Sequence, residues 1–215
     1  VAVATALSTG ETTSPGRLSG KEAGRLLRLQ RRLARAQKGS NRRAAVRTAI
    51  AHIKAREADR RRDWVEKTST DLARRFDVIR VEDLNTAGMT RSARGTVAQP
   101  GRGVRAKAGL NRGILASGWG LLVARLEQKA PGRVEKVNHA YTSQTCNACK
   151  HIASESRKSH ADFACVACGH QDNADVNAAR NIADRSTAAG LTVAARGDRA
   201  QSARSVKREP QLVAS

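Results

Sequence analysis

The sequence predicts an α/β chain carrying a small zinc module, and three observations lead there. Short β-branched runs at 1–7, 77–81 and 134–137 alternate with long segments of helical period. Four cysteines fall into two Cys-x-x-Cys pairs, Cys146 with Cys149 and Cys165 with Cys168. Hydrophobic residues make up 40% of the chain, enough for a packed core, but aromatics only 2%, so Ala, Val, Leu and Ile must build it. A length of 215 residues holds one substantial domain plus a small module and excludes a large multidomain enzyme.

Charge points to the partner. Lys and Arg number 40 against 19 Asp and Glu, a net charge of +21, which favours a polyanion. No run approaches the ~20 apolar residues of a membrane span, and the N-terminus lacks a basic-then-apolar signal layout, so a soluble intracellular chain with no membrane partner is expected. The chain opens at Val1 inside an apolar run and reads as one cut within its first strand.

In chain order, residues 1–8 form a strand that enters a turn at Thr9-Gly10, with a short second strand through Glu11–Ser14. Leu26, Leu29 or Leu27, and Leu33 set the period of a helix from Lys21 to about Gln37. Gly39-Ser40-Asn41 breaks it and caps a second helix over about Arg42–Arg75, with Val46, Ile50, Ile53, Trp64, Val65 and Leu72 near one face. Residues 17–62 hold sixteen basic residues against three acids. A merely solvated hairpin would mix signs to gain i,i+4 pairs, so Arg28, Arg31, Arg32, Arg35, Arg42 and Arg43 are assigned to nucleic-acid contact. A strand over Asp77–Val81 ends in Glu82-Asp83-Leu84. Residues 85–112, with five glycines, six basic residues and no acid, read as a flexible basic loop. Ser117 caps a helix through about Gln128, Pro131-Gly132 ends it, and Val134–Val137 is the next strand. A final helix covers Asp175 to about Asp184, and an Ala/Arg/Ser-rich tail, 187–215, is expected to be disordered.

The cysteine spacing matches a four-thiolate zinc site. Two thiolates three apart on a tight knuckle reach adjacent tetrahedral positions at ~2.3 Å from one metal, and the fifteen residues between pairs allow a two-stranded excursion. Gly169 supplies the positive φ that such a knuckle wants; Lys150 holds the same place after the first pair, less comfortably. Disulfides, a redox dithiol or an iron–sulfur centre fit the paired spacing less well. With all four positions filled by protein, the Zn²⁺ is structural. Lys150, Arg157, Lys158 and His160 decorate the excursion and suit phosphate, although such ribbons also bind proteins.

Two acidic clusters remain in a chain poor in acids, Glu82-Asp83 at a strand end and Asp172-Asn173-Ala174-Asp175 at a helix start. Each alone has a bland role: Asp172 or Asn173 caps a helix, and Glu82 ends a strand. Together, in a nucleic-acid-binding chain, they suit Mg²⁺ poised to activate water against a phosphodiester. A two-metal site would need a third carboxylate.

Three runs carry a family resemblance: Tyr141 to Cys149, Cys165 to His170, and Asp175-Val-Asn177-Ala-Ala-Arg-Asn181-Ile182. They resemble the C-terminal part of the OrfB/TnpB transposases, RNA-guided DNA nucleases of insertion sequences related to the type V CRISPR effectors. Asp77–Leu84 is similar to that family's second nuclease motif. The resemblance covers about residues 1–183 and implies an RNase H-like (RuvC) core interrupted by a zinc ribbon. Residues 1–140 would be the core with its basic hairpin at about 21–75, 141–170 the ribbon, and 171–186 the last core helix. By match, Glu82 and Asp175 are the second and third catalytic carboxylates, with Asp172 just outside the pattern. The family's first catalytic Asp, in an Asp-x-Gly element before a segment like Val1–Gly10, is not in this sequence, nor is the N-terminal region that binds guide RNA and the target duplex. The expectation is thus a truncated chain with two of three metal-binding carboxylates, binding DNA and guide RNA in a prokaryotic cytoplasm at the nucleoid. The alternatives are a non-catalytic zinc-ribbon nucleic-acid-binding module, or a protein adaptor, which would leave the basic helices without a task.

Overall fold

A computed structural model describes residues 5–185. Residues 1–4 of the expected first strand and the 187–215 tail lie outside them. The remaining sequence forms a mixed helix and strand architecture with three two-stranded sheets.

The predicted N-terminal hairpin is present as β1 (Thr5–Ala6) against β2 (Thr12–Thr13), antiparallel, with Gly10 at φ 95° making the turn. Helix α1 (Gly20–Arg35) starts on a capping box: the Ser19 hydroxyl accepts from the Glu22 N–H, and the Glu22 carboxylate accepts from the Ser19 N–H. Ser40 caps α2 (Asn41–Arg75), whose 35 residues run roughly 50 Å. That length serves two cores. Leu26 and Leu29 of α1 pack on Val46 and Ile53, and farther along Val65, Leu72 and Ala73 join the main core. Arg43 donates to the carbonyls of Leu33 and Ala36, closing the C-terminus of α1.

The main core rests on β3 (Ile79–Glu82) paired parallel with β4 (Val134–Val137), Ile79 opposite Val134 and Glu82 opposite Val137. A parallel pair needs a helical crossover, and α5 (Trp119–Lys129) supplies it, burying Leu122, Val123 and Leu126 against α2 and β3. The basic stretch 85–112 is not a loop throughout. It contains a short turn of helix, α3 (Thr86–Met89), and α4 (Val104–Ala116). Gly109 and Gly113 lie inside α4 and weaken its local helical signal, while Lys107 and Asn111 tie it down by donating to the carbonyls of Met89 and Thr90. Ser117 ends α4 instead of capping the next helix; Gly118 at φ 74° makes the break and α5 begins at Trp119.

The ribbon also differs in detail from the expected two-stranded excursion between knuckles. Strand β5 (Asp162–Ala164) precedes the second knuckle and pairs antiparallel with β6 (Gln171–Asn173), which follows it. Asn173 then caps α6 (Ala174–Asp184), its Oδ1 accepting from the N–H groups of Asp175 and Val176. Among the described residues no helix is long and apolar enough to cross a membrane.

Three ion pairs, on two carboxylates, pin α2 to its neighbours. Arg60 holds Glu22 of α1 at 2.7 Å, and Arg125 and Lys129 of α5 hold Glu66 at 2.6 and 2.8 Å. Arg60 in the first case and Arg125 in the second lower these carboxyls to about 2 from an ordinary 4.5. A depressed carboxyl stabilises the folded state fully above its unfolded pKa and loses that contribution as pH falls through its folded one. Denaturation midpoints should therefore drop between pH 4.5 and 2, and Glu66→Gln should flatten part of that slope. An identical acid profile in the variant would contradict the assignment.

Candidate functional site

The four cysteine sulfurs lie within 4.8 Å of one another. Cys146 Sγ sits 3.8 Å from Cys168 Sγ and Cys149 Sγ 3.6 Å from Cys165 Sγ. A tetrahedron with ~2.3 Å zinc–sulfur bonds has edges of about 3.8 Å, so the set fits Zn²⁺. The charge balance agrees. Backbone N–H groups, that of Cys168 foremost, draw the Cys165 thiol down to about 6. At Cys168 the His170 N–H acts downward, but the neighbouring sulfurs outweigh it and push the thiol up to about 12. Four clustered thiolates repel and call for a cation. Both knuckles turn as expected, Lys150 at φ 61° and Gly169 at φ 73°.

A second site lies in a cleft of about 1050 Å³ bounded by β1, β3 and helices α4 to α6. Most of its wall is apolar, with Leu110, Ile114, Leu122 and Ile182 among the lining residues. Glu82, at the end of β3, and Asp175, in the first turn of α6, both line it, together with His139, Thr142 and Arg157. The structure thus brings the two sequence-assigned carboxylates to one cleft. Burial pushes the Glu82 carboxyl up; Asp175 acts the same way, while His139, the Thr142 hydroxyl and Arg157 act against it. Arg157 Nη2 stands 3.4 Å from Asp175 Oδ1, so the ribbon supplies a cation to the cleft. Asp172 is engaged elsewhere: its carboxylate accepts from Arg180 at 2.6 Å and from Asn147 at 3.3 Å.

His139, Thr142 and the contact of Arg157 with Asp175 carry no local signal in the sequence, where Arg157 reads only as decoration of the ribbon. Of the assigned arginines, Arg28, Arg31, Arg32, Arg35 and Arg42 are exposed on α1 and α2, whereas Arg43 is partly buried in its capping role. Lys150, expected to face phosphate, pairs with Asp184.

Comparison with known proteins places these features. Residues 1–93 match the OrfB_IS605 family, described as "Probable transposase", and residues 119–182 match the Cas12f1-like TNB domain. InsQ of Escherichia coli (strain K12), described as a candidate RNA-guided DNA endonuclease, is 43% identical over 98% of this chain and 52% of its own length. A candidate RNA-guided DNA endonuclease of Streptomyces pristinaespiralis is 32% identical over 95% of this chain and 49% of its own. The CRISPR-associated endodeoxyribonuclease Cas12f1 of Sulfoacidibacillus thermotolerans is 50% identical over 56 residues, 26% of this chain and 13% of that protein. One sequence thus joins a segment like the OrfB_IS605 transposases to a segment like the Cas12f1-like TNB domain, and the second contains all four clustered cysteines. The chain is similar to the OrfB transposases over residues 1–93 and spans about half the length of the first two relatives.

Proposed function

We propose that this chain is the nuclease part of an RNA-guided DNA endonuclease, built on a RuvC-like core of RNase H type with the zinc ribbon inserted in it. The convergence of Glu82 and Asp175 on one cleft, from a strand end and a distant helix start, carries the reading. Both lie within the matched segments, Glu82 in 1–93 and Asp175 in 119–182.

Glu82 and Asp175 offer the hard oxygen donors that Mg²⁺ prefers. When bound, Mg²⁺ polarises a phosphodiester and activates water. The chain's own groups do the rest. The partly buried Glu82 is costly to ionise alone, so it gains most from a divalent charge beside it. Arg157 partly neutralises Asp175 and, swung off it, presents a planar donor to a phosphate oxygen. A third carboxylate, implied by the family resemblance, would complete a two-metal site.

Titrating the zinc-loaded chain with Mn²⁺, a spectroscopic substitute for Mg²⁺, tests the carboxylate assignment. Glu82→Gln or Asp175→Asn should weaken binding roughly tenfold or more. Asp172→Asn, which keeps an acceptor for Arg180, should leave it near wild type. Binding lost in Asp172→Asn and kept in Asp175→Asn would move the site.

The exposed arginines of α1 and α2 are assigned to the nucleic-acid backbone, because Arg28, Arg31, Arg32 and Arg42 have no carboxylate partner among the described residues. Affinity should then fall by orders of magnitude between ~50 and ~200 mM salt. Changing Arg28, Arg31, Arg32 and Arg35 together to Glu should weaken binding across sequences alike and flatten the salt slope. An unchanged slope would place the contact on another face.

A further inference from the structure

Helix α6 has two working faces. Asp175, Ala178, Ala179 and Ile182 face the cleft, while Asn177 and Asn181 turn to the first zinc knuckle. Asn177 is fully buried and Asn181 nearly so, burial that such amides rarely accept unless every polar atom has work to do. The Asn177 Oδ1 accepts from the backbone N–H of Asn147, the residue after Cys146 in the first knuckle, at 2.9 Å. Its Nδ2 donates to the Thr145 carbonyl at 2.8 Å, and Asn181 Nδ2 donates to the carbonyls of Thr145 and Thr142 at 2.6 and 3.0 Å. From the opposite side of the ribbon the Ala161 carbonyl accepts from the Ala174 N–H at 2.8 Å. These partners are all backbone groups of the ribbon: Asn147 within the first knuckle, Thr145 beside it, Thr142 in the turn before it and Ala161 just ahead of β5.

We infer that Asn177 and Asn181 are positioning residues that transmit zinc occupancy to the carboxylate cleft. The metal fixes the Cys146–Cys149 knuckle, the knuckle's backbone fixes the two amides, and the amides fix the turn of helix that carries Asp175. Thr142 belongs to both sides, since its carbonyl meets Asn181 and its hydroxyl acts on Glu82. The zinc centre then does more than hold a ribbon together: it sets the separation of the two carboxylates. In this last respect the inference rests on the metal-binding reading of Glu82 and Asp175, but the mechanical link between zinc and α6 does not.

Amide hydrogen exchange on the whole chain separates the two. The N–H groups of Ala178 to Asn181 close the turns over Ala174 to Asn177 and report whether that stretch is held. Chelating the zinc from wild type should speed their exchange at least ~10-fold, the scale of one or two lost hydrogen bonds. With cobalt in place of zinc, Asn177→Ala/Asn181→Ala should exchange as fast while keeping the tetrahedral thiolate spectrum, and its Mn²⁺ affinity should fall with it. Where the double variant fails to load cobalt, Asn181→Ala alone carries the same comparison. Wild-type exchange at these amides in a cobalt-loaded variant would overturn the inference. Coupled exchange together with Mn²⁺ binding indifferent to Asp175→Asn would sustain the link and overturn the carboxylate reading instead.

Discussion

Cys165→Ser should release the zinc and unfold the ribbon while leaving the α1–α2 hairpin folded. The apolar cluster of the ribbon consists of Cys146, Phe163 and Cys165 with Ala174 at the start of α6, and two of these four belong to the cysteine cluster itself. So small a core cannot offset the ordering of some thirty residues, and coordination must supply the difference. Structural zinc contributes apparent free energies of about 10–16 kcal/mol in small metal-dependent folds. Metal analysis should find about one zinc per chain in wild type and none in the variant. Protection of the β5–β6 amides should vanish with it. Wild-type protein free of zinc, with its cysteines in disulfides and its ribbon amides still protected, would contradict this.

Much of the architecture is legible because its determinants are local. The leucine period through Leu26 and Leu33, and Ser40 after Gly39, announce both long helices to within a residue or two. Pro131-Gly132 ends α5, and Val134–Val137 is the strand its β-branched ends suggest. The clustering of the four cysteines follows from spacing alone, since two Cys-x-x-Cys knuckles have the geometry that one metal would demand. Helix α4 is harder to see. Two glycines and a run of basic residues hide its period, and its apolar residues Leu110 and Ile114 meet their surroundings only at the cleft. The pairing of Glu82 with Asp175 is of another kind. It depends on β3 aligning with β4 and on α6 packing across β3, long-range facts that no window of sequence holds, and family resemblance supplied it instead. Arg157 escaped for the same reason: its meeting with Asp175 needs the ribbon folded around its metal first.

The second large effect concerns cleavage. Joined to the part of its relatives' length that it does not span and loaded with guide RNA, the chain should cut target DNA in Mg²⁺. Asp175→Asn or Glu82→Gln should then lower the rate by on the order of 10²–10³, the cost typical of removing one preorganised electrostatic group. Either change keeps the side chain's shape and takes away a negative charge, so DNA and RNA binding should persist while turnover falls. That split separates chemistry from assembly. Arg157→Ala should act in the same direction, because its charge meets Asp175 at 3.4 Å and, on the proposed reading, would meet the phosphate next.

The most direct measurement is Mg²⁺-dependent cleavage by the joined chain, comparing wild type, Glu82→Gln, Asp175→Asn and Asp172→Asn under conditions where all four bind target equally. The cleft geometry predicts cutting by wild type and Asp172→Asn, and its loss in the other two. Undiminished cutting by Asp175→Asn, or its loss in Asp172→Asn alone, would contradict the assignment of this cleft as the nuclease site.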